Sequence, residues 1–189
     1  MTASGPFVLA SACWPESESD PRPPPLAGFI ASSFSPLVAA VADRCLSRHF
    51  GAAPVDPATG ERTAVVIVSV GGDVATGAAV AAAVDGGERM SPLLFFQSVP
   101  NAAAGRVASR WGLAGPVVCL SPPGDETAGA EAAGLEYAGL QYAAELIGDG
   151  DADRVLLLLV EQEPAGGLDR ATALLVAPPI DEQPGERSP

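Results

Sequence analysis

TAVVIVSVGGDVATGAAVAAAVDGG, residues 63–87, decides the architecture. Residues 63 to 70 are β-branched and apolar almost throughout, which suits a strand buried on both faces rather than one alternating between core and water. Gly71-Gly72-Asp73 turns the chain into a helix over 74 to 85, and Gly86-Gly87 ends it. Gly77, Ala78, Ala81 and Val84 give that helix a nearly bare face, suited to tight contact.

Working outward, the same alternation recurs. Residues 6 to 13 read as a short apolar strand, and the proline-rich 15 to 25 as a loop. Ser35 as N-cap and Pro36 at the first helical position predict a helix to about Arg48, burying Leu37, Val38, Val41, Cys45 and Leu46. Residues 51 to 62 read as a loop. Residues 91 to 100 are very apolar but fit neither a strand nor a helix cleanly. Asn101 caps a helix over 102 to 112, and Gly115-Pro116 opens a strand containing Val117 to Leu120. A helix over 128 to 147 follows, with Leu135, Ala138, Tyr142 and Leu146 at helical spacing. Val155 to Val160 is a second doubly buried strand, and Thr172 to Ala177 the last one. The expected fold class is α/β: about five strands in a mostly parallel sheet, with helices on both faces. Residues 1–178 read as one domain and 179–189 as a disordered tail.

The 189 residues are 48% hydrophobic but only 5% aromatic, so packing relies on small side chains. The net charge is -13, and all ten basic residues are Arg. No basic footprint exists for nucleic acid, and Schiff-base chemistry lacks its lysine. Cys13, Cys45 and Cys119 have no paired spacing, and His49 is the single histidine. A metal site is therefore short of ligands, and neither metal nor cofactor is expected. Reduced thiols, no basic run at the N-terminus and no apolar run long enough to span a bilayer predict a cytoplasmic chain with no membrane association.

Three local patterns invite a catalytic reading. The strand holding Cys119 runs through Ser121 into a Pro-Pro-Gly-Asp elbow, the frame in which nucleophiles are often presented. Cysteine is a common buried small hydrophobe, and nothing in the sequence supplies a thiolate-stabilising neighbour. Ser121 has only His49 as a potential histidine base. Gly71-Gly72-Asp73 lacks both the GxGxxG spacing and the P-loop lysine, so it reads as a glycine turn with an Asp cap. The acidic run from Asp149 to Asp153 is too short for a calcium loop and lacks its terminal Glu.

Several pieces together resemble the β-ketoacyl synthase family. Ser91-Pro92, Asn101, Ala104-Gly105, Trp111-Gly112-Leu113 and Gly115-Pro116 follow the order of the family's N-terminal half, without a gap from Ser91 to Pro116. The glycine turn after residues 64–70 and Gly150-Asp151-Ala152-Asp153 before a core strand extend the resemblance over about 64 to 162, with a weaker likeness over 1 to 50. It implies half of a thiolase-like fold, in which two similar halves stack as layered α and β elements. In the family the nucleophile is a cysteine at the elbow, a position that falls near Gly124 here. The family's catalytic histidines and lysine belong to a C-terminal half that this sequence does not contain. No catalytic residue is therefore carried over, and Gly124 marks a vestigial nucleophile position.

The resemblance is strongest to truncated, cysteine-less chain-length-factor-like subunits. It implies a non-catalytic partner of a complete β-ketoacyl synthase in polyketide or fatty-acid-type biosynthesis. Acyl carrier protein would then be reached through that partner. By the same resemblance Phe96, Val99, Ala102 and Ala103 are candidates to line an acyl tunnel. Val117, Val118, Cys119 and Leu120 would form the strand at the heterodimer contact. The bare face at Gly77, Ala78 and Ala81, and the run Leu93 to Phe96, would be exposed in the isolated half. The alternative is a stand-alone acyltransferase or thioester hydrolase using Cys119 or Ser121.

Overall fold

The computed structural model describes residues 5–20, 22–87, 89–99, 101–122, 130–162 and 169–179. Strand β1 (Phe7–Trp14) is followed by helix α1 (Phe34–Phe50), a short α2 (Pro57–Glu61), strand β2 (Thr63–Val68) and helix α3 (Val74–Asp85). Next come α4 (Pro92–Gln97), α5 (Asn101–Trp111), β3 (Val117–Leu120), α6 (Ala130–Gly148), β4 (Arg154–Glu161) and β5 (Arg170–Ala177). The side chains of residues 130–132 are outside the description.

The five strands form one sheet in the order β1-β5-β4-β2-β3. Strand β2 pairs in parallel with both β3 and β4, with Ile67 opposite Cys119 on one side and Leu158 on the other. Strand β5 runs antiparallel to both β4 and β1. The sheet is thus mixed, where a mostly parallel one was expected. The reason lies in chain length. A parallel return needs a crossover of roughly a dozen residues, and only eight residues separate Glu161 from Arg170.

Alternate residues of the central strands feed two cores. Val65, Ile67, Leu156, Leu158 and Val160 meet Leu37, Val38, Val41, Cys45 and Leu46 of α1, and Ala104, Val107 and Trp111 of α5. Val66, Val68, Val155, Leu157 and Leu159 meet Leu135, Ala143 and Leu146 of α6. Helices therefore cover both faces, which is why β2 and β4 show no polar alternation. Gly139 lets α6 approach closely: a Cβ there would come within 2.6 Å of Leu157 Cδ1.

Three local expectations change. Helix α1 starts at Phe34, and the hydroxyl of Ser32, not Ser35, takes the orphan N–H: Ser35 N donates to Ser32 Oγ at 2.8 Å. The expected loop over 51–62 contains α2, capped by Asp56, which accepts from Thr59 N at 3.0 Å. The unassigned 91–100 contains α4, whose N-cap Ser91 accepts from Leu94 N at 3.1 Å, with Pro92 in its first turn. The proposed tail from 180 onward lies outside the described residues.

Candidate functional site

In α/β sheets, ligands gather beyond the carboxyl ends of the parallel strands. Here that edge is formed by the residues following β2, β3 and β4. The glycine turn after β2 is self-contained. Gly72 adopts φ +61°, its N–H donates to Ser69 Oγ at 3.1 Å, and Asp73 caps α3 by accepting from Thr76 N at 3.0 Å. Ser121 Oγ donates to Val70 O at 3.0 Å. After β4, Gln162 Oε1 accepts from Val74 N at 2.9 Å, while its Nε2 donates to Ser33 Oγ at 2.7 Å and Asp169 Oδ2 at 3.1 Å. These polar groups tie segments together.

Cys119 is half-buried in β3 and packs against the α1/α5 core. Burial pushes its thiol above the ordinary range, which disfavours the reactive thiolate. Cys45 is fully buried, and burial pushes it up to about 11. His49 is exposed at the end of α1, with its ring edge-on to Phe50 at 4.6 Å. The vestigial nucleophile position at Gly124 lies outside the described residues.

The Trp-Gly-Leu-x-Gly-Pro stretch has a structural explanation throughout. Trp111 is buried and its indole N–H donates to Asp43 Oδ1 at 2.6 Å. Gly112, at φ +70°, ends α5 in a left-handed turn, and Leu113 N reaches back to Ala108 O at 2.9 Å. Gly115 lies on the backbone of β2: a Cβ there would stand 2.6 Å from Thr63 O. The stretch is a device that lays β3 against β2. The acidic loop before β4 is likewise structural. Arg62 binds Asp153 Oδ1 at 2.8 Å and Gly150 O at 2.8 Å, and no metal-binding cluster forms among the described residues.

Val117, Val118, Cys119 and Leu120 form the edge strand of the sheet, hydrogen-bonded to β2 on one side. Helices α3 and α4 pack mainly on each other, and α4 on α5, which in turn packs on β3. Gly77, Ala78, Ala81 and Val84 are exposed, as are Leu93, Phe95 at 62% and Phe96 at 52%. Only Thr76 of α3 is buried.

Three of the four tunnel candidates converge. Phe96, Val99 and Ala102 line an open groove of ≈ 560 Å³ together with Phe29, Gly105 and Arg106. Phe29 and Phe96 meet at 5.9 Å between ring centroids. Ala103 faces the other way, into the core against α1. Gln97, almost wholly buried, fixes the wall: Ala31 N donates to its Oε1 at 3.0 Å. The spacing of α5 could have pointed to Gly105 and Arg106, which follow Asn101 and Ala102 by four residues. Phe29 had no signal, because it arrives from a proline-rich loop.

A family model described as the β-ketoacyl synthase N-terminal domain matches residues 35–172. No curated protein sequence matches the chain. Among solved structures, one similar chain belongs to a ketosynthase (ApeO) in complex with its chain length factor (ApeC) from Xenorhabdus doucetiae. It shows 19% identity and a TM-score of 0.66, over 92% of this chain and 79% of that one. A second belongs to the ishigamide ketosynthase/chain length factor, at 16% identity and a TM-score of 0.68, over 98% of this chain and 64% of that one. A third is a β-ketoacyl synthase from Burkholderia phymatum STM815, at 18% identity and a TM-score of 0.61, over 87% of this chain but 46% of that one. At these identities the likeness is one of fold. No helix among the described residues is long and apolar enough to cross a membrane.

Proposed function

The chain belongs to the β-ketoacyl synthase family, and from that premise we propose that it is a non-catalytic, chain-length-factor-like subunit pairing with an active ketosynthase. The observation that carries this reading is the conjunction of an edge strand, β3, with the exposed apolar side chains of α3 and α4. An unpaired strand edge and an apolar patch are each a liability unless another chain covers them. Val117 to Leu120 would pair with the partner, and Phe96, Val99 and Ala102 would supply part of its acyl tunnel.

The fold likeness to chains from two ketosynthase–chain length factor structures supports this reading. So does the resemblance itself, which puts the family's cysteine position near Gly124. Polyketide or fatty-acid-type biosynthesis is the setting, and acyl carrier protein would reach the pair through the synthase. The net charge of -13 would disfavour direct docking of an acidic carrier here. The alternative, an acyl transfer or hydrolysis by Cys119 or Ser121, draws little support from the site. The Cys119 thiol is pushed towards its neutral form, and Ser121 donates to a backbone carbonyl.

Co-expression with a ketosynthase encoded nearby, followed by size-exclusion chromatography, tests the pairing. The expected result is a stable heterodimer that Phe95→Ser weakens at least about tenfold, as loss of an aromatic anchor does at interfaces. A stable monomer that ignores the synthase overturns it. Acyl-thioester labelling of the isolated chain that Cys119→Ala or Ser121→Ala abolishes would restore the enzymatic alternative.

A further inference from the structure

The groove beside α5 carries one feature that tunnel lining does not explain. It is lined by Phe29, Phe96, Val99, Ala102 and Gly105, and among the described residues Arg106 is the single charged one that lines it. Arg44, Arg48, Arg62 and Arg110 each sit on a carboxylate within 3.0 Å. Arg106 has no hydrogen-bond or ion-pair partner among the described residues. Arg22, Arg89, Arg154 and Arg170 likewise form no ion pair among the described residues, and of these unpaired arginines Arg106 is the one that lines the apolar groove. The volume of ≈ 560 Å³ falls within the roughly 300–1,000 Å³ of small-molecule sites.

We infer that the groove seats an apolar chain whose far end carries a carboxylate, with the Arg106 guanidinium pairing with that end. The forked donor geometry of arginine matches a carboxylate's two oxygens, and the apolar walls select a hydrocarbon body over a fully polar anion. The inference rests on the tunnel reading above and adds to it the chemistry of the chain's terminus. Gly105 gives a second handle. A Cβ there meets nothing within 4 Å, so added bulk enters the groove instead of the core.

Isothermal titration of the full chain with decanoate, methyl decanoate and decyltrimethylammonium, each below its micelle concentration, tests this. The net charge of -13 favours the cation non-specifically, so a preference for the anion reports a local site. Decanoate is expected to bind about tenfold more tightly than the ester. Arg106→Gln should remove that preference and leave the ester's affinity within about twofold, since only the charged contact is lost. Gly105→Leu should weaken both chains about tenfold or more by filling the groove, with circular dichroism showing that each variant remains folded. Equal binding of acid and ester, binding of the ammonium as tight as decanoate, a preference surviving Arg106→Gln, or no binding of any probe overturns the proposal. If no probe binds while the chain still co-elutes with a ketosynthase, this inference falls and the pairing stands. If the probes bind as expected but no pairing occurs, the reverse holds.

Discussion

Strand β4 and helix α3 are both runs of small and medium apolar residues, yet they sit in opposite environments. Six consecutive residues of β4 are buried, whereas α3 buries only Thr76. Strand β4 lies between β2 and β5 with α1 on one face and α6 on the other. Helix α3 has α4 as its main neighbour, and α4 is itself largely exposed. The same kind of composition thus builds a finished core on one side of the molecule and an uncovered surface on the other. Burial here follows the number of layers available, not the hydrophobicity of the segment.

The contrast can be broken most severely at Gly115, on the finished side. Gly115→Val places a Cβ against the backbone of Thr63 and Ala64, which cannot yield as a side chain would. A loss of more than about 4 kcal/mol is expected, seen as failure to recover folded protein or as a collapse of the urea midpoint. Leu157→Ala, in the β4 core against α6, should cost about 2–5 kcal/mol in the same measurement.

Next comes pH. Burial raises Cys45 from 9.0 to about 11, so its ionisation opposes the folded state. Its contribution is fully present below about pH 9 and is lost as pH rises through the folded value. The two-unit shift corresponds to about 2–3 kcal/mol. Urea unfolding between pH 8 and 11 should show this fall in the native chain and a smaller one in Cys45→Ala.

Two gentler changes sharpen the comparison. Gly105→Ala, in a helix with open space at the Cβ, should stabilise by roughly 0.5–1 kcal/mol, the opposite sign to the glycine ten residues on. Leu93→Ala on exposed α4 should fall within about 0.5 kcal/mol, although it deletes the same atoms as Leu157→Ala. A cost for Leu93→Ala near that of Leu157→Ala would mean that α4 is already covered in the isolated chain.

Much of this was legible in the sequence because the signals are local. The apolar run expected as a strand over 63–70, the glycine turn and the Asp73 cap all lie within a few residues; the structure keeps the turn and the cap and ends the strand at Val68. The direction of β5 was less visible, although the short spacing after Glu161 carried it. Helix α4 escaped because six residues, five of them apolar, are too few to display a helical period. At the candidate site, Phe96, Val99 and Ala102 were singled out by resemblance, and the structure brings the three to one groove. Ala103, adjacent to Ala102, turns away, because neighbouring residues on a helix lie about 100° apart.

By itself the sequence determined the order of strands and helices and the absence of a lysine. Those depend on residue identity and short-range periodicity. Only the tertiary structure decided that β3 is an edge, that α3 and α4 are largely exposed, and that Phe29 joins α5 around Arg106. These depend on which distant segments share a surface. Ala31 and Gln97, 66 positions apart, meet through one hydrogen bond that no local pattern encodes.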